Sequence, residues 1–103
     1  MDRVVGLASQ RAVVIFSVSS CCMCYAIKTL FGELGCNPAI YELDEDPAGR
    51  EMELALIRLI GKKKPVPAVF IGGRFVGLTE QVMSHHLGGT LVPLLRDAGA
   101  LWL

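Results

Sequence analysis

Residues 11–24, reading Arg11-Ala12-Val13-Val14-Ile15-Phe16-Ser17-Val18-Ser19-Ser20-Cys21-Cys22-Met23-Cys24, decide the fold. Arg11 to Phe16 is a short β-branched run, the kind that suits a strand buried on both faces. Ser17 to Ser20 follow as loop and helix-cap residues. From Cys24 onward, Ala26, Ile27, Leu30, Phe31 and Leu34 recur at helical spacing, and Gly35 closes that helix. Cys21 and Cys24 thus form a C-x-x-C motif that leaves a strand and enters a helix. Free backbone N–H groups and the helix dipole stabilise a thiolate at such a position. A second cysteine three residues on lies about one helical turn away, within reach of a mixed disulfide formed on the first. That is the geometry of thiol–disulfide exchange: Cys21 attacks and Cys24 can resolve.

Downstream, Ala39 to Leu43 reads as a second strand ending in the acidic turn Asp44-Glu45-Asp46-Pro47. Met52, Leu54, Leu56, Ile57, Leu59 and Ile60 mark a second helix, stopped by Gly61. Ala68 to Ile71 is a third strand, Gly72-Gly73 a tight hairpin signal, and Arg74 to Gly77 the antiparallel return. Thr79 is the expected N-cap of a helix running to about Leu87, with Glu80 and Gln81 in its first turn. Leu91 to Leu95 and beyond gives a last helix, and residues 1–10 add a weak one packed on the outside. The order β-α-β-α-β-β-α has helices in its first two strand connections. Strands one to three are therefore expected to be parallel, with the hairpin as an antiparallel edge. The fold class is α/β: a thioredoxin-like, four-stranded mixed sheet flanked by helices.

At 103 residues the chain makes one domain, and with 52% hydrophobic residues it can bury a core without staples. Ten basic residues balance ten acidic ones, which argues against direct nucleic-acid binding. The one dense basic run, Lys62-Lys63-Lys64 beside Pro65, reads as a solvated loop. No segment approaches the ~20 apolar residues that span a bilayer, and no secretory leader is visible, so no membrane partner is expected. An intracellular setting makes structural disulfides rare and turns the four cysteines toward chemistry.

Other readings of these cysteines stay open. An inert buried pair is one. A structural zinc site needs four ligands, and the adjacent Cys21-Cys22 pair suits tetrahedral chelation poorly without a second C-x-x-C. Cys36, just after Gly35, reads as a semi-buried spacer thiol, and nothing in the sequence chooses a role for Cys22. Val66-Pro67, directly before a strand, suggests a cis peptide facing Cys21, with the Val66 backbone free to pair with an extended thiol ligand. A trans strand-entry proline is the alternative.

With these pieces placed, the chain resembles a glutaredoxin over nearly its whole length. Val13-Val14-Ile15-Phe16-Ser17, the cysteine run, Pro67-Ala68-Val69-Phe70-Ile71-Gly72-Gly73 and Val76-Gly77 carry the likeness. More narrowly it is similar to the plant CC-type (class III) glutaredoxins. Cys-Cys-Met-Cys at 21–24, Tyr41-Glu42-Leu43-Asp44-Glu45-Asp46-Pro47 and the ending Gly99-Ala100-Leu101-Trp102-Leu103 point there.

The resemblance implies a single glutaredoxin domain over residues 1–103 that reduces low-molecular-weight and protein disulfides with glutathione. Cys21 matches the nucleophile and Cys24 the resolving cysteine, together the redox disulfide. Val66 and Pro67 match the backbone that pairs with the cysteine of glutathione, Thr79 and Glu80 its γ-glutamyl end, and Lys63 its glycine carboxylate. There are departures. A lysine common three residues before the nucleophile is Val18 here, the usual Pro-Tyr of the motif is Cys22-Met23, and a Gly-Cys-Asp-Asp segment is Leu78-Thr79-Glu80-Gln81. These changes imply weaker turnover than an ordinary dithiol glutaredoxin shows.

The tail carries a second class of function. By pattern alone Trp102 folds back on the core. By resemblance, Ala100-Leu101-Trp102-Leu103 is the motif that engages TGA-type bZIP transcription factors, which implies action in nucleus and cytoplasm. The alternative to an enzyme is therefore a non-catalytic redox adaptor, a transcriptional co-regulator that binds TGA factors through this tail. A third reading is an iron–sulfur cluster held by Cys21 and glutathione across a dimer.

Overall fold

The computed structural model describes residues 2–61 and 65–99. Its elements are α1 (Asp2–Ala8), β1 (Val13–Ser17), α2 (Cys22–Glu33), β2 (Ala39–Glu42), α3 (Gly49–Ile60), β3 (Ala68–Ile71), β4 (Arg74–Gly77), α4 (Thr79–Leu87) and α5 (Leu91–Asp97). The sheet runs β2-β1-β3-β4, so β1 and β3 are central. Both are buried throughout, as their near-continuous apolar runs require.

Strand pleating divides the core in two. Val13 and Ile15 of β1, with Val69 and Ile71 of β3, face Ile27, Leu30 and Phe31 of α2, Val82 of α4 and Leu91 and Leu95 of α5. Val14, Phe16, Ala68 and Phe70 point to the other face, against Met52, Ala55 and Leu56 of α3. Phe16 anchors that side, stacked on Tyr41 at 5.5 Å and edge-on to Phe70 at 5.6 Å. The N-terminal helix is more than an outer decoration, because Val4 and Ala8 are fully buried in this second core.

The expected parallel pairing holds for β1 with β2 and fails for β3. Ser17 lies opposite Glu42 in the parallel pair, while Phe16 lies opposite Ala68 in an antiparallel one. The chain thus leaves β2 and enters β3 at the same end of the sheet. A helix crossover gives a parallel strand only when it delivers the chain to the opposite end. Here α3, which ends on Gly61 at φ 79°, belongs to a connection that returns the chain to the end it left.

Two helix starts also differ from expectation. The residue capping α4 is Leu78, in extended conformation, and Thr79 is the first helical residue. The Gln81 side-chain oxygen accepts the Leu78 N–H at 3.0 Å, the bond that the third helical residue makes in a capping box, while Leu78 itself offers no side-chain cap. For α2 the cap is Cys21 itself, and Ser17 belongs to β1. The Gly72-Gly73 hairpin is as expected, with φ of 62° and 82°, the two positive values that a two-residue turn between strands needs.

Gly49, the first residue of α3, is the tightest point of the acidic turn. A Cβ there would lie 1.7 Å from the Leu43 carbonyl oxygen, a backbone atom with no room to yield. Gly49→Ala is expected to cost roughly 2 kcal/mol or more, because the helix start must move off the end of β2. Urea unfolding of the two proteins measures it, and an unchanged midpoint would show that the turn can relax.

Candidate functional site

The site is built where β1 ends. Cys21 sits at φ −88°, ψ 118°, its N–H bonded to the Val18 carbonyl at 3.0 Å and its carbonyl accepting the Tyr25 N–H at 3.1 Å. Its sulfur accepts the Cys24 N–H at 3.1 Å, the bond that a Ser or Asp oxygen makes in an ordinary N-cap. The helix therefore starts on a sulfur. Cys21 is half-buried, Cys22 and Met23 are exposed, Cys24 is fully buried, and all four cysteines are free thiols.

Burial first, and then its hydrogen bond to the Cys21 sulfur, pushes the Cys24 thiol up from the ordinary 9.0 to about 12. Lys28 opposes this rise through its charge, and a hydrogen bond with the Val18 backbone opposes it too. Burial also raises Cys36, which packs in the core beside Phe31 and Leu30 and lies away from the motif. On the other flank, Ser19 clamps Asp44: its N–H donates to Oδ1 at 3.1 Å and its hydroxyl to Oδ2. Those bonds hold the Asp44 carboxyl below its ordinary 3.8.

A groove of about 530 Å³ opens at Cys21, lined by Val18, Ser20, Cys21, Met23, Glu53, Pro65, Val66 and Thr79. Val66 and Thr79, two residues predicted to bind a thiol ligand, are therefore brought to the same groove as Cys21. The Val66–Pro67 peptide is cis, as the sequence suggests, and Pro67 is buried. Glu80 is exposed on the first turn of α4 and does not line the groove. Lys63 and the tail residues Ala100, Leu101, Trp102 and Leu103 lie outside the described residues.

Glu53 was missed by sequence reasoning. It forms one wall of the groove and pairs with Arg50 at 2.6 Å. The only local signal is its i,i+3 spacing from Arg50, which any solvated helix face shows. Among the described residues no group of three or more His, Cys, Asp or Glu side chains is placed to hold a metal ion. The iron–sulfur reading asks of each chain only Cys21, a half-buried free thiol, with glutathione as the other ligand across a dimer, and no step below runs through a cluster.

A cysteine capping a helix after the central strand of a mixed sheet, with a second one turn on and a cis-proline loop beside it, defines a thioredoxin-like thiol site. The glutaredoxin family model matches residues 13–76. Rice glutaredoxin-C1 is 69% identical over 103 residues, the full length of both chains, and Arabidopsis putative glutaredoxin-C12 is 56% identical over the full length of both. A buckwheat glutaredoxin–glutathione complex superposes with a TM-score of 0.93 at 36% identity, covering 98% of this chain and 91% of that one. Holo glutaredoxin C1 from Populus tremula x tremuloides gives 0.88 at 37%, covering 94% and 95%. The chain belongs to the glutaredoxin family.

The raised Cys24 thiol has a consequence for stability. The folded protein holds that proton more tightly than the unfolded chain, so the stabilisation is complete below pH 9. It is lost as pH rises from 9 through about 12. Under non-thiol reductant, the urea midpoint of the wild type should fall more steeply between pH 9 and 11 than that of Cys24→Ala. Parallel slopes would refute the shift.

Proposed function

We propose that this chain is a glutathione-dependent thiol–disulfide oxidoreductase in which Cys21 is the nucleophile. The observation that carries this reading is the Cys21 sulfur at the head of α2, accepting an amide hydrogen and opening into a groove. The glutathione complex of the buckwheat relative supports glutathione as the co-substrate. Val66 and Thr79 would hold its cysteine backbone and γ-glutamyl end, and Lys63 and Glu80 complete the assignment made from the family motif.

In the first step the Cys21 thiolate attacks the glutathione sulfur of a protein–glutathione disulfide. The new bond is Cys21–S–S–glutathione, and the protein thiolate leaves and takes a proton from water. A second glutathione thiolate then attacks, releasing oxidised glutathione and regenerating Cys21. Cys24 can instead attack the Cys21 sulfur and expel glutathione. Because Cys24 keeps its proton near neutral pH, glutathione carries the larger share of resolution. The low-molecular-weight and protein disulfides of the reading follow from an open groove with one reactive sulfur at its end.

The finer part of the proposal is regulatory. TGA-type bZIP factors are the proposed protein partners, bound through Ala100-Leu101-Trp102-Leu103, in cytoplasm and nucleus, on the strength of the tail's family motif alone. The adaptor reading uses that tail without catalysis.

Reduction of a glutathionylated substrate, coupled to NADPH through glutathione reductase, tests the assignment. Cys21→Ser should lose activity by at least ~100-fold, while Cys24→Ser keeps a large fraction of it. Binding of a TGA factor should survive Cys21→Ser and be lost when residues 100–103 are removed. A wild type without reductase activity that still binds would overturn the enzyme and leave the adaptor.

A further inference from the structure

The resolving step has a problem that the rest of the site does not solve. Cys24 lies at zero exposure and is held as a thiol, yet to expel glutathione from Cys21 its sulfur must become negative. An apolar surrounding opposes that charge. A cation one turn away on the same helix would help, and α2 carries one.

Lys28 stands four residues after Cys24 on α2, on the same face of the helix. Its side chain is only 24% exposed, and its Nζ lies 2.9 Å from Glu42 Oε1, whose own side chain is 21% exposed. The same Glu42 oxygen accepts the hydroxyl of Ser17, which is fully buried at the end of β1. Ser17 in turn gives its carbonyl to the Leu43 N–H at 2.8 Å. A chain of polar contacts thus ties α2, one turn beyond Cys24, to the ends of β1 and β2. Exposed ion pairs on helices carry little energy and wave in solvent. This one is fixed at both ends and partly desolvated, so its charge is screened less.

We propose that Lys28, held in place by Glu42 and Ser17, is a positioning residue for Cys24. Its ammonium offsets the charge that develops on the Cys24 sulfur during resolution. The inference rests on the oxidoreductase reading above and deepens it. The charged and titratable groups acting on Cys24 are the Cys21 thiol and Lys28; Glu42 pairs with Lys28, whose charge also lowers Asp44. Lys28 is the one whose charge favours the thiolate, against burial and the Cys21 bond. In the step itself Cys24 gives its proton to water and its electron pair to the Cys21 sulfur. The Cys21–glutathione bond breaks, its pair leaves on glutathione sulfur, and that sulfur takes up a proton. One internal disulfide forms as one mixed disulfide is lost.

The two steps can be timed separately. Reduced protein is mixed with oxidised glutathione, quenched in acid at intervals, and analysed by mass spectrometry with peptide mapping for the Cys21 adduct and the Cys21–Cys24 disulfide. Lys28→Met should slow the second step by roughly five- to tenfold at pH 8 while the first stays within about twofold, the size of a shift approaching one pKa unit. Lys28→Gln can still hydrogen-bond to Glu42 without the charge, and should slow the second step equally. Lys28→Arg should restore it. An unchanged second step in Lys28→Met overturns the proposal. So does a Lys28→Gln variant that behaves like wild type, since the hydrogen bond and not the charge would then matter. A wild type that forms no Cys21 adduct would sink the oxidoreductase reading before Lys28 enters.

Discussion

The start of α2 on the Cys21 sulfur is the contact on which the rest of the site depends. Four backbone N–H groups at a helix N-terminus need acceptors, and the usual acceptor is an oxygen. Here the acceptor is the Cys21 sulfur, the proposed nucleophile, bonded to the Cys24 N–H at 3.1 Å. That one bond places Cys21 at the mouth of the groove and sends Cys24 into the core one turn later. It also sets the direction of the helix against β1, since the Cys21 N–H is tied back to Val18. The proposed nucleophile, its proposed resolver and the helix entry are a single local device.

The two cysteines are consequently unequal partners. Cys21 meets solvent and the groove, whereas Cys24 is buried and its thiol strongly favoured over the thiolate. The asymmetry supports the proposed clearance of the mixed disulfide by a small thiol from solution. Around this pair the charges are fixed by neighbours: Ser19 holds Asp44, and Ser17 and Lys28 hold Glu42. Two serines that the sequence presents as loop residues thus serve as anchors for the carboxylates at the end of β2. The wall opposite is supplied by α3, through Glu53 and its Arg50 partner.

How much of this was legible in the sequence varies with the range of the interaction. The β3–β4 hairpin from Ala68 to Gly77 was readable to the residue, because Gly72-Gly73 is a local signal with one structural answer. The helix from the cysteine motif to Gly35 was readable from apolar spacing and a left-handed glycine at φ 86°. Thr79 misled, because a hydroxyl residue reads as a cap, while here the cap position falls one residue earlier on Leu78, whose N–H is held by the Gln81 side chain. The direction of β3 misled for a longer-range reason: helix-linked strands are usually parallel, and only the pairing of β3 against β1 in the sheet shows it reversed.

By itself the sequence determined the chemistry-bearing motif and the class of fold. A β-branched run followed by C-x-x-C and an amphipathic stretch leaves few ways to bury the apolar face, and fixes which cysteine comes first at the helix. The tertiary structure alone decided what surrounds that motif. Glu53 reaches the groove from α3, Glu42 reaches Lys28 from β2, and Val66 reaches Cys21 across the sheet end. Such pairings join residues far apart in the chain, and no local propensity encodes them. They follow from the packing of two cores against opposite faces of one sheet, which fixes where each helix and strand end must lie.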